Sequence, residues 1–372
     1  MGEALRILFI DAAPFHGGAQ ESLACLFRHP PAGLRAGLMS AQASDMPLPV
    51  AAAGAGWPVS RFSCRHWRAT PVGLWQLWRD RRNFQLAWRA HIAAHGLPRL
   101  IHANGERTLL LLADIVPARI PIVLHLRDIR MPGPVRSFAC SRAQAIIVAS
   151  PFVAAALPSS FRSNLFIVPN PVETPPANLP SVSAPAGPFL LLAADFSAWK
   201  RHGLFIDMIA EIRSEQPDLC GVILGRSRDA AGDRQLGLVR RQIAAAGLTE
   251  AITLITDCSD IRPWLAAATA LVSVAEAEPF GRSVAEALAF GKPVICTADG
   301  GTAEFLAGSP AGILCDPDAA SLAAGWRQCR HRLAARGAQT AAAARRRVAP
   351  LAPPHIWAQW LAIYETLGLE SD

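Results

Sequence analysis

No stretch of this 372-residue chain is apolar for long enough to cross a bilayer. The longest apolar runs, 109–116, 189–194 and 266–275, fall far short of the roughly 20 residues a spanning helix needs. Metal-type cysteine spacing is also missing. The eight cysteines never come closer than Cys315 and Cys329, so no Cys-x-x-Cys or Cys/His cluster marks a zinc site. Several sit in strand-like apolar runs, where a buried reduced thiol is the expected state. A dense Lys/Arg tract is absent too, although 36 Lys and Arg stand against 29 Asp and Glu for a net charge of +7. Dedicated nucleic-acid binding calls for a concentrated patch. Scattered basic charge instead suits phosphate-bearing partners: nucleotides, lipid phosphates or a membrane surface. Residues 1–6 lead directly into an apolar strand at 7–10, with no leader pattern. These traits predict a cytoplasmic location, with association at the inner face of the membrane left open.

What is present is a repeated alternation. The strand 6–11 is followed by a glycine turn, His16-Gly17-Gly18, and by helical periodicity over 19–28. Apolar runs near 99–102, 121–126, 144–149 and 165–168 then alternate with helix-period segments, the pattern of parallel strands joined by crossover helices. Between 169 and 188 the texture breaks, because PNPVETPPANLPSVSAPAGP is too rich in proline for helix or central strand. After it come strands at 188–194, 219–224, 251–255, 270–274, 292–296 and 311–315, with helices at 202–215, 233–247, 259–267 and 282–290 between them. Two α/β doubly wound units are predicted: 1–172, then a proline-rich linker 173–187, then 188–350. A tail helix in 351–372 carries Ile356, Trp357, Trp360, Leu361 and Tyr364 at helical spacing and is expected to pack back on the first unit.

Residues 57–92 hold five tryptophans (Trp57, Trp67, Trp75, Trp78, Trp88) among many arginines. Two readings stay open. One is an interfacial patch docking on anionic lipid. The other is an amphipathic helix with Leu74, Leu77, Trp78, Trp88 and Ile92 in the core and arginines in solvent.

Chemistry concentrates in 275–316, AEAEPFGRSVAEALAFGKPVICTADGGTAEFLAGSPAGILCD. Glu278 lies on a turn closed by Pro279 and Gly281, and helical periodicity starts near Arg282, placing Glu286 in the early turns. A helix N-terminus has free N–H groups and partial positive charge, a site for a diphosphate. Carboxylates before and inside such a helix accept hydrogen bonds from hydroxyls, as on a sugar or ribose. The segment EPFGRSVAEALAFGKPVICTADGGTAEFL resembles the Glu-x7-Glu signature of the family 4 retaining glycosyltransferases. HGGAQESL, RLIHANG, PIVLHLRD, AIIVAS and LFIVPNPVE fall where that family has its Gly-Gly loop and first-domain strands, so the resemblance spans about 5–365.

The resemblance implies a GT-B fold, two Rossmann-like domains facing across a cleft, and a retaining transferase with a nucleotide-sugar donor and a glycan, glycolipid or similar acceptor. It implies that Glu278 contacts the transferred sugar and Glu286 the ribose, with Phe280, Gly281, Arg282 and Ser283 around the phosphates. Lys200 takes the place of the family's diphosphate lysine. Where the family has an arginine this chain has Asp195, an acid that would oppose the donor. Arg201 and Arg282 are the expected compensating cations, with Lys200 and Arg282 sharing the diphosphate. Acceptor-side candidates are His16, His102, His125, Arg127 and Asp128; His125 and Asp128 are expected to be catalytic because they end a strand facing the cleft. Gly17 and Gly18 are expected to let the backbone approach ligand. No cofactor or metal is expected, since Asp316-Pro317-Asp318 reads as a strand exit with Asp318 as a helix cap. A nucleotide-sugar epimerase is disfavoured by the 275–316 match. A degenerate, non-catalytic scaffold subunit stays open on account of Asp195 and of Ala275, where the family often has Ser.

Overall fold

The computed structural model describes residues 6–65, 71–112 and 114–369. The chain divides into two compact units, one of 1–171 with 353–372 and one of 172–352. Each is built on a wholly parallel sheet, whose strands need crossover helices and are covered on both faces.

In the first unit the elements run β1 (Ile7–Asp11), α1 (Gly18–Phe27), β2 (Ala36–Ser40), α2 (Pro47–Gly54), β3 (Val59–Arg61), α3 (Pro71–His95), β4 (Leu100–Asn104), α4 (Glu106–Leu112), β5 (Ile122–Leu126), α5 (Gly133–Ser141), β6 (Ala145–Val148), α6 (Pro151–Ala155) and β7 (Leu165–Ile167). The sheet order is β3-β2-β1-β4-β5-β6-β7. β1 pairs with β2 through Ile7 opposite Ala36 and with β4 through Ile7 opposite Leu100. All five residues of β1 are buried; Ile7 to Ile10 read as one continuous apolar run rather than an alternation, and the buried Asp11 closes the strand.

The second unit runs β8 (Phe189–Ala193), α7 (His202–Arg213), β9 (Cys220–Leu224), α8 (Ala230–Ala245), β10 (Ile252–Ile255), α9 (Arg262–Ala267), β11 (Ala270–Ser273), α10 (Arg282–Ala289), β12 (Val294–Thr297), α11 (Gly300–Leu306), β13 (Gly312–Cys315) and α12 (Ala319–Val348). Its sheet order is β10-β9-β8-β11-β12-β13. The proline-rich stretch forms neither helix nor strand between Val168 and Pro188. Asp318 caps α12 by accepting a hydrogen bond from Ser321 N at 2.8 Å. That helix kinks at Arg336, whose φ of −148° and ψ of 37° leave the helical region.

The chain then returns to the first unit as α13 (Pro353–Thr366). Ile356, Trp357, Trp360 and Tyr364 are buried in one apolar cluster with Phe9, Phe27 and Trp57. Trp357 Nε1 donates to Leu26 O at 2.9 Å, and Trp57 stacks on Phe9 with centroids 5.7 Å apart. Burying aromatics of this size contributes about 2 kcal/mol or more each.

Within α3 the core face differs from the expectation. Phe84 and Trp88 are buried and Leu77 and Ile92 pack against the core, but Trp78 points outward at 59% exposure. Trp75 is 58% exposed. Trp67 and the Leu74 side chain lie outside what the structure describes.

Candidate functional site

In a doubly wound sheet, neighbouring loops diverge at the point where strand order reverses, opening a crevice at the carboxyl ends. In the second unit that point lies between β8 and β11. The loop after β8 ends in a single 3-10 turn, Ala198–Lys200, followed by Arg201 at φ +49°. The loop after β11 carries Ala277 at φ +48° and Gly281 at φ +81°.

Three contacts join the two loops. Glu276 N donates to Trp199 O at 2.8 Å. Arg201 pairs with Glu276 at 3.0 Å. Lys200 Nζ donates to Glu278 Oε2 in a short ion pair, with both side chains less than a fifth exposed. Lys200 Nζ also lies 3.9 Å from the centroid of the Trp199 ring, so an aromatic face supports the cation from the side.

The Glu278 turn is pinned from beneath by the start of α11. Ala277 N donates to Asp299 Oδ2 at 2.9 Å, and Gly301 N donates to Glu278 O at 2.8 Å. Gly300 sits at φ +73°, and a Cβ there would come within 2.6 Å of the Glu278 backbone. Both facts require glycine at 300. The Gly-Gly that follows the signature is therefore the bed on which Glu278 rests.

Gly281 opens α10, and a Cβ on it would meet Thr302 Oγ1 at 2.5 Å. Arg282 and Ser283 occupy the first turn, half-buried. Arg282 forms a short ion pair with Glu286 one turn along. Phe280 is buried, its ring centroid 5.6 Å from that of Phe305. The helix N-terminus and these side chains together offer anion donors and hydroxyl acceptors in one place.

Asp195 does point into a cation, but not an expected one. Arg228 on the loop after β9 donates through Nε to Asp195 Oδ2 at 2.8 Å and through a second, shorter bond from the same guanidinium. Arg226 lies 4.0 Å from the other carboxylate oxygen. Arg201 and Arg282 are instead paired with Glu276 and Glu286. The compensation comes from the adjacent strand because β9 lies beside β8 in the sheet.

At the β1/β4 reversal of the first unit the arrangement is different. Asp11 accepts from Gln20 Nε2 at 2.8 Å and, more closely, from Asn104 Nδ2. Arg127 donates to Asn104 Oδ1 at 2.7 Å and to Asn170 Oδ1 at 2.6 Å. Burial raises the pKa of Asp11 despite these bonds and the charge of Arg127. Gln20 Oε1 accepts from Gly17 N at 3.1 Å. Gly17 has φ −133° and Gly18 begins α1, so neither uses the left-handed region that only glycine tolerates well. His16 is tied to Glu21 at 2.7 Å.

His125 is not at a surface. It is 1% exposed, its ring 5.3 Å from Trp360 and 5.4 Å from His102, and neither ring nitrogen has a hydrogen-bond partner among the described residues. Burial and the nearby Arg127 charge hold it neutral, well below the usual histidine range. The strand-end position expected to face ligand is turned into the core by α13, a segment far away in sequence. His102 is likewise buried, hydrogen-bonded to Tyr364 Oη at 2.7 Å and stacked on Trp360. Asp128 is half-exposed and turned on its own loop, accepting from Ile129 N at 2.7 Å and from the Arg130 side chain at 2.8 Å.

The sequence reading missed Asp11, Gln20, Asn104, Asn170, Glu106, Arg226 and Arg228. Glu106, just after β4, is 5% exposed, and burial pushes its carboxyl up to about 7. The one usable signal was local: acids and amides at the carboxyl ends of predicted strands β1 and β4. Among the described residues no group of three or more His, Cys, Asp and Glu is placed to hold a metal ion.

Residues 180–332, most of the second unit, match the family model described as glycosyl transferases group 1. No curated protein gives a sequence match. Among solved structures, the chain is similar to Anabaena HepE in complex with UDP-glucose, at 23% identity over 98% of this chain and 99% of that one, with a TM-score of 0.72. It is similar to a glycosyltransferase from Rickettsia africae, at 18% identity over the full length of both and a TM-score of 0.75. Sucrose-phosphate synthase from Thermosynechococcus elongatus matches at 20% identity over 98% and 100% of the two chains, with a TM-score of 0.74. The fold shared with these structures is GT-B, two Rossmann-like units.

Proposed function

We propose that the chain transfers a sugar from a nucleoside-diphosphate sugar to a glycan or lipid-linked acceptor, with retention at the anomeric carbon. The observation that carries this reading is the Lys200–Glu278 ion pair, which joins the loops after β8 and β11 at the strand-order reversal. An acid and a base held side by side there suit a ligand bearing both hydroxyls and phosphate. Glu278 takes the sugar hydroxyls, Lys200 and Arg282 the diphosphate with the α10 N-terminus, and Glu286 the ribose. Phe280, Gly281 and Ser283 form the backbone turn against the phosphates, and Arg201 braces the wall through Glu276.

Departure of the nucleoside diphosphate builds negative charge on the leaving oxygen. A fixed ammonium and a helix terminus stabilise that charge more in the transition state than in the ground state, which is what raises rate. Loss of one such preorganised donor costs on the order of 100-fold in kcat. His125 has no part in this chemistry, because a ring inside the core cannot reach a substrate. Retention and the acceptor class rest on the resemblance of 278–306 to family 4 enzymes and on the basic charge of the chain. HepE, similar in fold, is bound to UDP-glucose, so UDP-sugars are the first donors to try.

The test is incubation with UDP-, GDP- and ADP-sugars, following nucleotide release and the anomeric configuration of the product by NMR. One donor should be consumed with its configuration kept, and Lys200→Ala should lose most of that turnover. Consumption of no donor, or an inverted product, would sink the reading.

A further inference from the structure

The outward face of α3 is built unlike the rest of the surface. At 100° per residue, Trp75, Trp78, Arg79, Arg82, Leu86, Arg89 and Ala93 fall on one stripe of the helix. Trp75 is 58%, Trp78 59% and Leu86 60% exposed. The opposite face is already used, with Phe84, Trp88 and His91 buried in the first unit. Exposed indoles are not needed for the fold, and large exposed apolar side chains gathered on one element mark an interaction surface.

The charge on the stripe is of one sign. Arg79 stacks over Trp75 with its guanidinium carbon 5.2 Å from the ring centroid. Arg82 and Arg89 are exposed, and neither pairs with an acid among the described residues. Asp80, the sole acid of α3, is turned inward and wholly buried, where it accepts a hydrogen bond from Arg65 N at 2.9 Å. The helix therefore presents tryptophan, leucine and arginine outward with no carboxylate among them. The chain as a whole adds a net charge of +7.

We propose that this stripe lies on an anionic lipid surface, parallel to the membrane plane. Indoles place an apolar body among acyl chains and a polar N–H among headgroups, and arginines pair with lipid phosphates. Among the described residues no helix is long and apolar enough to cross a membrane. A convex helix face with unpaired cations fits a flat polyanionic surface better than the closely fitted pocket that a protein hot spot requires. The inference stands apart from the donor reading, since none of its residues belongs to the second unit.

The experiment is co-flotation of the full chain with phosphatidylglycerol-containing vesicles and with pure phosphatidylcholine vesicles. The chain should float with the anionic vesicles only, and salt should release it. Trp75→Ala/Trp78→Ala should lower the partition coefficient by about tenfold. Arg82→Glu/Arg89→Glu should lower it by at least as much, at roughly fivefold per arginine. Circular dichroism melts should match wild type for both variants, since all four side chains are solvent-facing. Equal flotation of the tryptophan variant, or no flotation of wild type, would overturn the proposal. So would a lipid-free dimer, seen by light scattering, that the same substitutions dissociate, because the stripe would then be covered by a second copy.

Discussion

At the β1/β4 reversal of the first unit, the buried Asp11, Gln20, Asn104 and Asn170 and the half-buried Arg127 close on one another in a hydrogen-bonded network. At the β8/β11 reversal of the second unit, Lys200, Glu278, Arg201, Glu276, Arg282 and Glu286 meet as ion pairs that solvent still reaches. The topology is alike, but the polar groups differ in accessibility. Charges that are partly exposed can exchange one partner for another at modest cost. A fully buried charge such as Asp11 cannot, because each broken bond leaves a desolvated group behind. Partner exchange is therefore open to the second unit's edge, as the proposed donor site requires, and closed to the buried part of the first unit's edge.

That contrast can be broken at its strongest point first. Gly300→Val forces a side chain into the Glu278 backbone at a positive φ. It should cost about 3 kcal/mol or more and abolish donor binding, read by thermal melt and calorimetry. Asn104→Ala removes the bridge between Asp11 and Arg127 and should cost about 2–4 kcal/mol of stability. Donor affinity should be unchanged in that variant; a donor Kd that moves with Asn104 would merge the two edges into one function.

A smaller effect separates the edges by pH. Glu106 has its carboxyl raised to about 7 from an ordinary value near 4.5 by burial. The unfolded chain gives up that proton more readily, so this group lowers stability as pH rises from about 4.5 through 7. Glu106→Gln should thus raise Tm at pH 8 and change little at pH 4. The buried histidines act in the opposite sense. His91 and His202 are lowered to about 4, so stability falls as pH drops from about 6.5 toward 4. An unfolding midpoint of Glu106→Gln that tracks wild type at every pH would remove the burial argument. Smallest is Arg228→Ala, which leaves Asp195, a carboxylate one-third exposed, with only the more distant Arg226. Donor Kd should rise about fivefold, since a screened like charge costs about 1 kcal/mol, and Asp195→Ala in the same chain should restore it.

The two edges also differ in how far sequence reveals them. The Glu278 turn, α10 and the Gly300-Gly301 bed lie within a single run of residues, and their chemistry follows from local rules for helix starts and positive φ. The parallel alternation was equally legible, because strands buried along nearly their whole length, such as β1 and β8, read as nearly continuous apolar runs. β2 and β3 were not marked out: AGLMS and VSR are too short and too weakly β-branched to stand apart from loop. The Asp11 network was hidden because its members come from positions 11, 20, 104, 127 and 170, joined only by the sheet. His125 misled for the same reason, since the α13 residues that bury it are more than 200 positions away. Trp78 misled because helical periodicity gives a phase for the apolar face, and two tryptophans on the outer stripe shifted it.

The central claim, that a nucleoside-diphosphate sugar binds at the β8/β11 edge, is tested most directly by titration calorimetry of UDP-glucose and its GDP and ADP counterparts. One donor should bind wild type, bind Lys200→Ala and Glu278→Ala at least tenfold more weakly, and bind Asn104→Ala as wild type does. Binding by none of the donors, or equal binding by wild type and Lys200→Ala, would contradict it.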